Sequence, residues 1–313
     1  SWSSRFLATS LAKVFTSFED VVAEYGPLSP ENRLNTAMYL AILNGAQLVA
    51  GKQVQKDSDG VDGSTDDYLL AIDELKKVIQ RRYRPNVIVP VTTNQTVISY
   101  CKTHCNIQSS IRYRQERICF YGYAVGTKPE RAQTYALGLK SQRMIGIYTD
   151  ACVIEITDQY GNVVEHILDG SFLAAAVAGS NVSPAYDVAT PLTHRTIVGI
   201  KRLTKTLDQE TMNKCAVSGI TVLEDLDPNV RVRHFLTTDM SNALTREPTI
   251  TTIADEISQG LRDVLEQFIG QKYLNSMLSD IERVCKSYLR SQILAEIISN
   301  FTAVKAVPDI LDP

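Results

Sequence analysis

The sequence contains little that would direct the chain to a membrane or to a nucleic acid. No apolar run approaches the ~20 residues that a bilayer-spanning helix needs, and residues 1–5 do not have the pattern of a secretory signal. The net charge of the 313 residues is only −3, with 32 basic and 35 acidic side chains. Such a balance gives no general attraction to nucleic acid or to anionic lipid.

A disulfide framework and a zinc site are also missing from the pattern of the six cysteines. Five of the six lie inside apolar stretches, which predicts buried free thiols and a reducing compartment. Cys101, His104 and Cys105 have helical spacing and could face a common point. A structural zinc site usually needs four ligands, and no second pair with a recognisable spacing is present. We therefore interpret these three residues as packed thiols beside a histidine.

Four further stretches approach a chemical motif without completing it. Residues 45–52 lack the spacing and hydroxyl of a phosphate-binding loop, and the Asp-rich loop 57–68 departs from the calcium-binding pattern. Gly170-Ser171 lacks the flanking glycines of a nucleophilic serine turn. The arginines at 112, 114 and 117 are typical of a solvated helix end, with phosphate contact as the alternative.

Short apolar stretches alternate with amphipathic ones over the first 180 residues. Residues 87–91, 118–125 and 144–148 predict strands, and residues 94–116 and 129–142 predict the helices between them. Because parallel strands need crossover connections of this length, we expect a largely parallel sheet with flanking helices. The alternation over 153–167 predicts a hairpin.

The last third of the chain predicts two long amphipathic helices, over 250–269 and 275–299, after a pair of strands at 219–224 and 230–238. Residues 181–193 are rich in turn residues and predict a boundary between domains near 183–195. The predicted fold is thus α/β and α+β in several domains. Residues 1–185 form an α/β domain, and residues 186–313 form a C-terminal α+β domain with the two helices.

One charged surface stands out on the last predicted helix. Arg283, Lys286 and Arg290 are spaced by three and four residues, which places them on one face, opposite an apolar stripe. Such a basic strip is usually an ordinary solvated face. The alternative is a surface that docks on an acidic protein partner, where charge sets the register of the contact.

Several weak motifs, taken in order, resemble those of contractile phage tail sheath proteins. The resemblance covers most of residues 15–305. It rests on five features in order. Residues 15–26 predict a short helix that ends at a glycine, and Asn44-Gly45 is followed by the apolar residues 48–50. Gly60-Val-Asp-Gly63 precedes the helical stretch 67–75, and Thr237-Thr238 and the last two helices complete the series.

The resemblance implies a structural polymer and not an enzyme. Sheath subunits stack as homo-oligomeric rings around a tail tube above a baseplate, and they shorten to drive the tube through the host envelope. It implies a protein of the virion tail, assembled in the host bacterial cytoplasm, with no cofactor and with neither nucleic acid nor membrane as a partner. In this setting the basic strip is a candidate contact with the tube or another partner.

Two alternatives remain at this stage. The sheath of an R-type pyocin or of a type VI secretion system has the same pattern. An α/β enzyme or nucleotide-binding domain would place its site in the loops after Val91, Val125 and Tyr148. The terminal arms that join sheath subunits are not evident, so we expect a globular fragment that is monomeric or weakly associating.

Overall fold

The computed structural model of the chain describes residues 13–54, 63–77, 85–158, 160–226, 229–272, 274 and 276–308. The chain forms two compact units. The first consists of Ser1–Ala185 with Leu192–Pro248, and the second consists of Tyr186–Pro191 with Thr249–Pro313. Every strand of the described residues belongs to the first unit.

Strands and helices alternate along the described residues. The strands are β1 (Lys13–Phe15), β2 (Val49–Gly51), β3 (Val87–Ile88), β4 (Ile118–Tyr121), β5 (Met144–Tyr148), β6 (Ala151–Thr157), β7 (Val163–Asp169), β8 (Thr196–Ile197), β9 (Arg202–Leu203), β10 (Ile220–Asp225) and β11 (Val230–Val232). The helices are α1 (Phe18–Tyr25), α2 (Arg33–Leu43), α3 (Thr65–Glu74), α4 (Gln95–Gln108), α5 (Pro129–Leu139), α6 (Gly170–Asn181), α7 (Gln209–Val217), α8 (Ala243–Arg246), α9 (Pro248–Leu265) and α10 (Met277–Leu294).

The first unit is built around a six-stranded sheet with the order β3-β4-β5-β10-β11-β8. The four strands β3, β4, β5 and β10 are parallel, and β11 and β8 continue the sheet in antiparallel pairing. A hairpin, β6–β7, forms a second sheet with β9, and β1 pairs with β2. The predicted largely parallel sheet with flanking helices is confirmed.

The central strands β4 and β5 are apolar and fully buried because both faces of the sheet are covered there. Side chains that alternate along a strand point to opposite faces. Phe120 and Ile145 accordingly join the core that includes helix α6, whereas Tyr121 and Met144 join the core on the side of α4 and α5. All four are fully buried, and each contributes about 1.5–3 kcal/mol from removal of apolar surface from water.

The division into units differs from the predicted boundary between residues 185 and 186. β10 pairs in parallel with β5, so that Ile220 lies opposite Gly146 in the middle of the sheet. Residues 192–248 therefore belong to the first unit, although the turn-rich passage precedes them. Tyr186–Pro191, in the middle of the passage, belong to the second unit together with the two long helices, and the chain returns to the first unit at Leu192.

Two local features are visible at the level of individual bonds, a helix cap and the predicted hairpin. Ser17 caps α1 by accepting a hydrogen bond from the Asp20 backbone N–H at 3.2 Å, and its hydroxyl donates to the Asp20 carboxylate at 2.9 Å. The hairpin predicted over 153–167 is β6–β7, with Glu155 directly opposite Glu165. Lys201 reaches both carboxylates, at 2.6 and 2.7 Å, and so offsets the like-charge pairing.

The second unit contains the two long helices predicted at the end of the chain. α9 and α10 have 18 residues each. Cys285 and Leu289 are buried on one face of α10. The Tyr288 hydroxyl lies against Gly260 of α9, where the absence of a side chain leaves room for the ring.

Candidate interaction surface

The predicted basic strip lies on α10 beside the face that carries its buried residues. The helical spacing that places Cys285 and Leu289 inside turns Arg283 and Arg290 to solvent, and Lys286 is half-buried beside them. The side chain of Arg283 is 74% exposed. The two arginines of the strip are therefore accessible, about two turns apart on one helix.

Two of the three cations are already paired within the helix. Arg283 contacts Asp280 at 3.0 Å, and Lys286 contacts Glu282 at 3.3 Å. Glu282 also accepts a hydrogen bond from the Ala306 backbone N–H at 3.0 Å. This N–H and then the Lys286 ammonium lower the pKa of Glu282, which keeps the carboxylate charged beside the strip.

These two ion pairs reduce the net charge of the strip, but they leave it able to bind a partner. Exposed pairs of this spacing contribute little to stability because water screens them, so an acidic partner can replace their carboxylates at small cost. Among the described residues, no carboxylate lies within ion-pair distance of Arg290. The three cations therefore have the charge and the spacing to pair with carboxylates placed one helical turn apart on a partner.

The loop at the carboxyl end of β4 packs on the start of α6, at an edge where an α/β sheet normally binds its ligand. Gly122 follows β4 and approaches the start of α6. A Cβ atom at Gly122 would lie 1.9 Å from the carbonyl carbon and oxygen of Gly170. The Gly170 N–H donates to the Tyr123 carbonyl at 2.9 Å. Backbone thus packs directly on backbone in the loop after β4.

A strand–loop–helix segment at this edge was missed by the sequence reasoning. Residues 122–128 read Gly-Tyr-Ala-Val-Gly-Thr-Lys between β4 and α5, one residue shorter than a phosphate-binding loop. The Asp150 carboxylate is almost fully buried. It accepts a hydrogen bond from the Gly126 N–H at 2.6 Å and forms an ion pair with the Lys205 ammonium at 2.8 Å. A carboxylate therefore occupies the place where a phosphate would bind. Its charge disfavours binding of an anion there.

The Cys101–His104–Cys105 group is buried, as predicted for packed side chains. Burial raises the pKa of the Cys105 thiol. The ring nitrogen Nε2 of His104 lies 2.5 Å from Nη1 of Arg117, so its lone pair faces a guanidinium group. The Nδ1 atom is buried and has no hydrogen-bond partner among the described residues. Burial, then the charges of Arg117 and Lys76, lower the pKa of His104 to about 4.

The prediction of a solvated arginine cluster is wrong for Arg117. Arg112 and Arg114 are exposed, but Arg117 is only 1% exposed. Its Nη2 atom donates to the Leu75 carbonyl at 3.0 Å and to the Gln115 side chain at 2.6 Å. Arg117, which directly precedes β4, thus links the C-terminal end of α3 to α4. It stabilises the interior of the unit and does not form part of the surface.

A cavity of about 570 Å³ lies in the first unit between α2, α3, β2, β3 and α6. Its wall is largely apolar, with Met38, Ile72 and Ala178 among the residues that line it. Two cations at its border are paired, Arg33 with Asp169 at 2.8 Å and Lys52 with Glu74 at 2.7 Å. The cavity is therefore suited to an apolar side chain and not to an anionic ligand.

The remaining chemical motifs have structural explanations or lie outside the described residues. Ser171 donates its hydroxyl to Asp169 at 2.5 Å at the start of α6. Residues 45–52 follow helix α2 and contain β2, the wrong place for a phosphate loop. Asp57, Asp59 and Asp62 of the acidic loop lie outside the described residues.

All six cysteines are free and buried, as predicted. Within the described residues, no three or more His, Cys, Asp or Glu side chains are grouped to hold a metal ion. Nor does any helix there combine the length and apolar character required to cross a membrane.

No protein-family model matches the chain, but two phage proteins named tail sheath protein do. The chain is 27% identical to that of Mycobacterium phage Bxz1 in an alignment 312 positions long, which covers 95% of this chain and 52% of the phage protein. It is 25% identical to that of Bacillus phage SP01 over 232 residues, which are 73% of this chain and 39% of the phage protein. The chain thus spans about half, or less, of the length of these relatives.

The fold also matches a solved structure, the sheath complex of the PVC extracellular contractile injection system in its contracted state. The TM-score is 0.66 at 11% identity, over 93% of this chain and 73% of that chain. At this identity the likeness concerns the fold alone. The predicted resemblance is confirmed: the chain is similar in sequence to phage tail sheath proteins and has the fold of a contractile sheath protein.

Proposed function

We propose that the chain is the folded part of a structural subunit of a contractile phage tail sheath. The sequence similarity to the tail sheath protein of phage Bxz1, which extends over 95% of the chain, carries this proposal. Its partners are further sheath subunits in stacked rings, the tail tube and the baseplate. It resides in the virion tail after assembly in the host cytoplasm. The sequence relatives come from phages, which favours a phage tail over a related injection device.

In this role the chain performs mechanical work and transforms no molecule. A sheet covered on both faces behaves as a rigid body, so contraction proceeds by changes at the surfaces between subunits. The close approach of Gly122 to Gly170 fills the loop after β4, one of the usual ligand positions of such a sheet, and this favours a non-enzymatic role. The free energy of contraction then comes from exchanged contacts, without a cofactor.

Electron microscopy tests whether the protein assembles into a sheath. We expect the whole gene product, purified with its tube protein, to form striated sleeves around tubes. Discrete particles under every assembly condition would contradict the proposal. A large thermal shift on addition of a nucleotide would instead favour the α/β enzyme or nucleotide-binding alternative.

We further propose that the basic strip contacts the tube. Assembly of a charge-reversal variant and of a matched control distinguishes a tube contact from an ordinary solvated face. The triple charge reversal Arg283→Glu, Lys286→Glu, Arg290→Glu should abolish sleeves on tubes, since it turns an attractive surface into a repulsive one.

A matched control makes the same change in net charge at exposed cations on other helices. Lys128→Glu, Arg131→Glu and Lys214→Glu lie in or next to α5 and α7. This control should assemble normally. Sleeve formation by the strip variant at the normal yield would reject the tube contact and leave the sheath proposal standing.

A further inference from the structure

The sequence contains a single Asn-Gly pair, Asn44-Gly45, where α2 ends and the chain turns toward β2. Asparagine is a chemically labile residue, and a glycine after it removes the side chain that would hinder attack by the next backbone nitrogen. In a flexible chain such a pair loses ammonia through a cyclic imide within days. Both residues are half-buried here, so the folded geometry decides whether the pair reacts.

Packing at this junction requires both residues of the pair. Gly45 has a φ of +110°, and a Cβ atom there would lie 2.4 Å from Ser183 Oγ. The Asn44 side chain donates to the Leu40 carbonyl at 2.8 Å. It also donates to the Val198 carbonyl and accepts the Val198 N–H, both at 2.9 Å. The two bonds to Val198 tie the loop after β8 to the end of α2.

The same junction opposes the reaction of the pair. Ring closure requires the Gly45 nitrogen to approach Asn44 Cγ, but at the Asn44 ψ of 6° this nitrogen is rotated away from the side chain. The Gly45 N–H also donates to the Ile42 carbonyl at 2.9 Å, which holds the nitrogen in place. The bonds of the Asn44 amide to the Leu40 and Val198 backbone hold Cγ in the same way.

We propose that Asn44-Gly45 is a latent deamidation site, which the folded chain protects and which reacts when the loop after β8 detaches from the end of α2. Local openings of this kind precede global unfolding in folded proteins. The reaction needs only water, and it requires no second chain or cofactor. The inference is therefore independent of the proposed function.

The chemistry is that of an intramolecular acyl transfer. The Gly45 nitrogen gives up its proton and forms a bond to Asn44 Cγ, while the bond from Cγ to Nδ2 breaks and ammonia leaves with that proton. Water then opens the cyclic imide at either carbonyl. The products are aspartate and its isomer isoaspartate, in which the chain runs through the side-chain carboxyl carbon.

Neither product can restore the tie. A carboxylate has no N–H to donate, so both bonds from Asn44 Nδ2 are lost. Its charge would face the carbonyl oxygens of Leu40 and Val198, which is unfavourable. Because the amide does not re-form spontaneously, an opening that leads to reaction is permanent. The pair is thus an irreversible local switch, and the deamidated fraction records how often the junction has opened.

Mass spectrometry of proteolytic peptides tests the site, because deamidation changes the mass of the peptide that contains Asn44-Gly45. The chain is kept in mildly alkaline buffer, with and without concentrated urea. The peptide should deamidate within days in urea and at least about tenfold more slowly in the folded chain, since only the open fraction reacts. Equal rates in the two conditions, or no reaction in urea, would overturn the proposal.

Two matched glycine variants test the tie to the loop. Gly199→Ala places a methyl group 2.7 Å from Leu43 Cδ2 at a residue with a φ of +85°, and so should loosen the loop beside Val198. Gly161→Ala adds the same kind of strain in the β6–β7 turn, where φ is +86° and no atom lies within 4 Å of the new group. The first should speed deamidation of the folded chain at least about fivefold and the second less than about twofold. Equal rates for the two variants would overturn the proposed control by the loop.

Hydrogen exchange distinguishes a local opening from unfolding of the whole unit. In Gly199→Ala the Val198 amide should exchange at least about fivefold faster, whereas the amide of the buried Ile145 in β5 should keep its protection. Equal acceleration at both amides would assign the reaction to global unfolding and overturn the proposal. The variant Asn44→Asp, which encodes one product, should also expose the Val198 amide. Protection equal to that of the parent chain would overturn the permanence of the switch.

Discussion

Acidification should weaken the first unit through His104, because this ring is buried against a permanent positive charge. Arg117 Nη1 lies 2.5 Å from His104 Nε2. Lys76 adds a second positive charge, and Asp73 opposes both. Protonation would leave an imidazolium facing a guanidinium group in the core, where both side chains are buried and charges are weakly screened.

The magnitude follows from the two pKa values. The ordinary pKa of 6.5 falls to about 4 in the folded chain, so the unfolded chain binds the proton first. The contribution of His104 to stability is complete above the unfolded pKa and is lost as the pH falls through 6.5 toward 4. At about 1.36 kcal/mol per pKa unit, lowering the pH from about 7.5 to about 4.5 removes about 2.5 kcal/mol.

The variant His104→Gln separates this effect from the rest of the acid response. Glutamine is neutral at both pH values, and its amide oxygen can still accept a hydrogen bond from Arg117. Carboxyl groups with lowered pKa values, such as Glu224 beside Arg231, destabilise both proteins alike on acidification. We therefore expect the free energy of unfolding in urea to fall about 2.5 kcal/mol less for the variant than for the parent chain.

Nuclear magnetic resonance gives a direct check, because the chain has four histidines and the variant identifies the signal of His104 by its loss. That signal should titrate near pH 4. Equal loss of stability in the two proteins, or a His104 signal that titrates near its ordinary value, would refute the reasoning from the buried contact.

Two further substitutions test the packing of the first unit. Gly122→Ala should destabilise the chain by about 3 kcal/mol or prevent folding, since its methyl group would overlap the Gly170 backbone. Gly138→Ala, in α5 with open space around it, should instead stabilise by up to about 1 kcal/mol. Similar midpoints of urea unfolding for these two variants would contradict the close approach. Asn44→Ala should cost about 1–2 kcal/mol because it removes both bonds to Val198; a change below about 0.3 kcal/mol in the same assay would show that the loop is held by other contacts.

The sequence was sufficient where a structural signal is local. β5 was predicted with its observed bounds because a run of only five apolar residues, too short for a helix, is typical of a strand buried on both faces. Ser17 and Gly26 were readable as the ends of α1, since capping involves residues within one turn. The basic strip followed from helical spacing alone.

The sequence was insufficient where a role depends on a distant partner. Nothing near Arg117 distinguishes it from the exposed Arg112 and Arg114; its burial depends on His104, which lies 13 residues earlier. In the same way, nothing between 219 and 224 indicates that this strand pairs with β5, more than 70 residues away. The close packing at the carboxyl end of β4 depends on Gly122 and Gly170, which are also far apart in sequence.

The central position of β10 has a consequence for synthesis. While the ribosome is still adding residues between β5 and β10, strand β5 has no neighbour on one side, and its backbone N–H and C=O groups form an open edge. Such edges pair readily with other chains, and sheets that depend on distant strands form slowly. At about 5–20 residues per second, several seconds pass before β10 is made. A product that ends before residue 220 should therefore aggregate, whereas one that extends past β11 can complete the sheet.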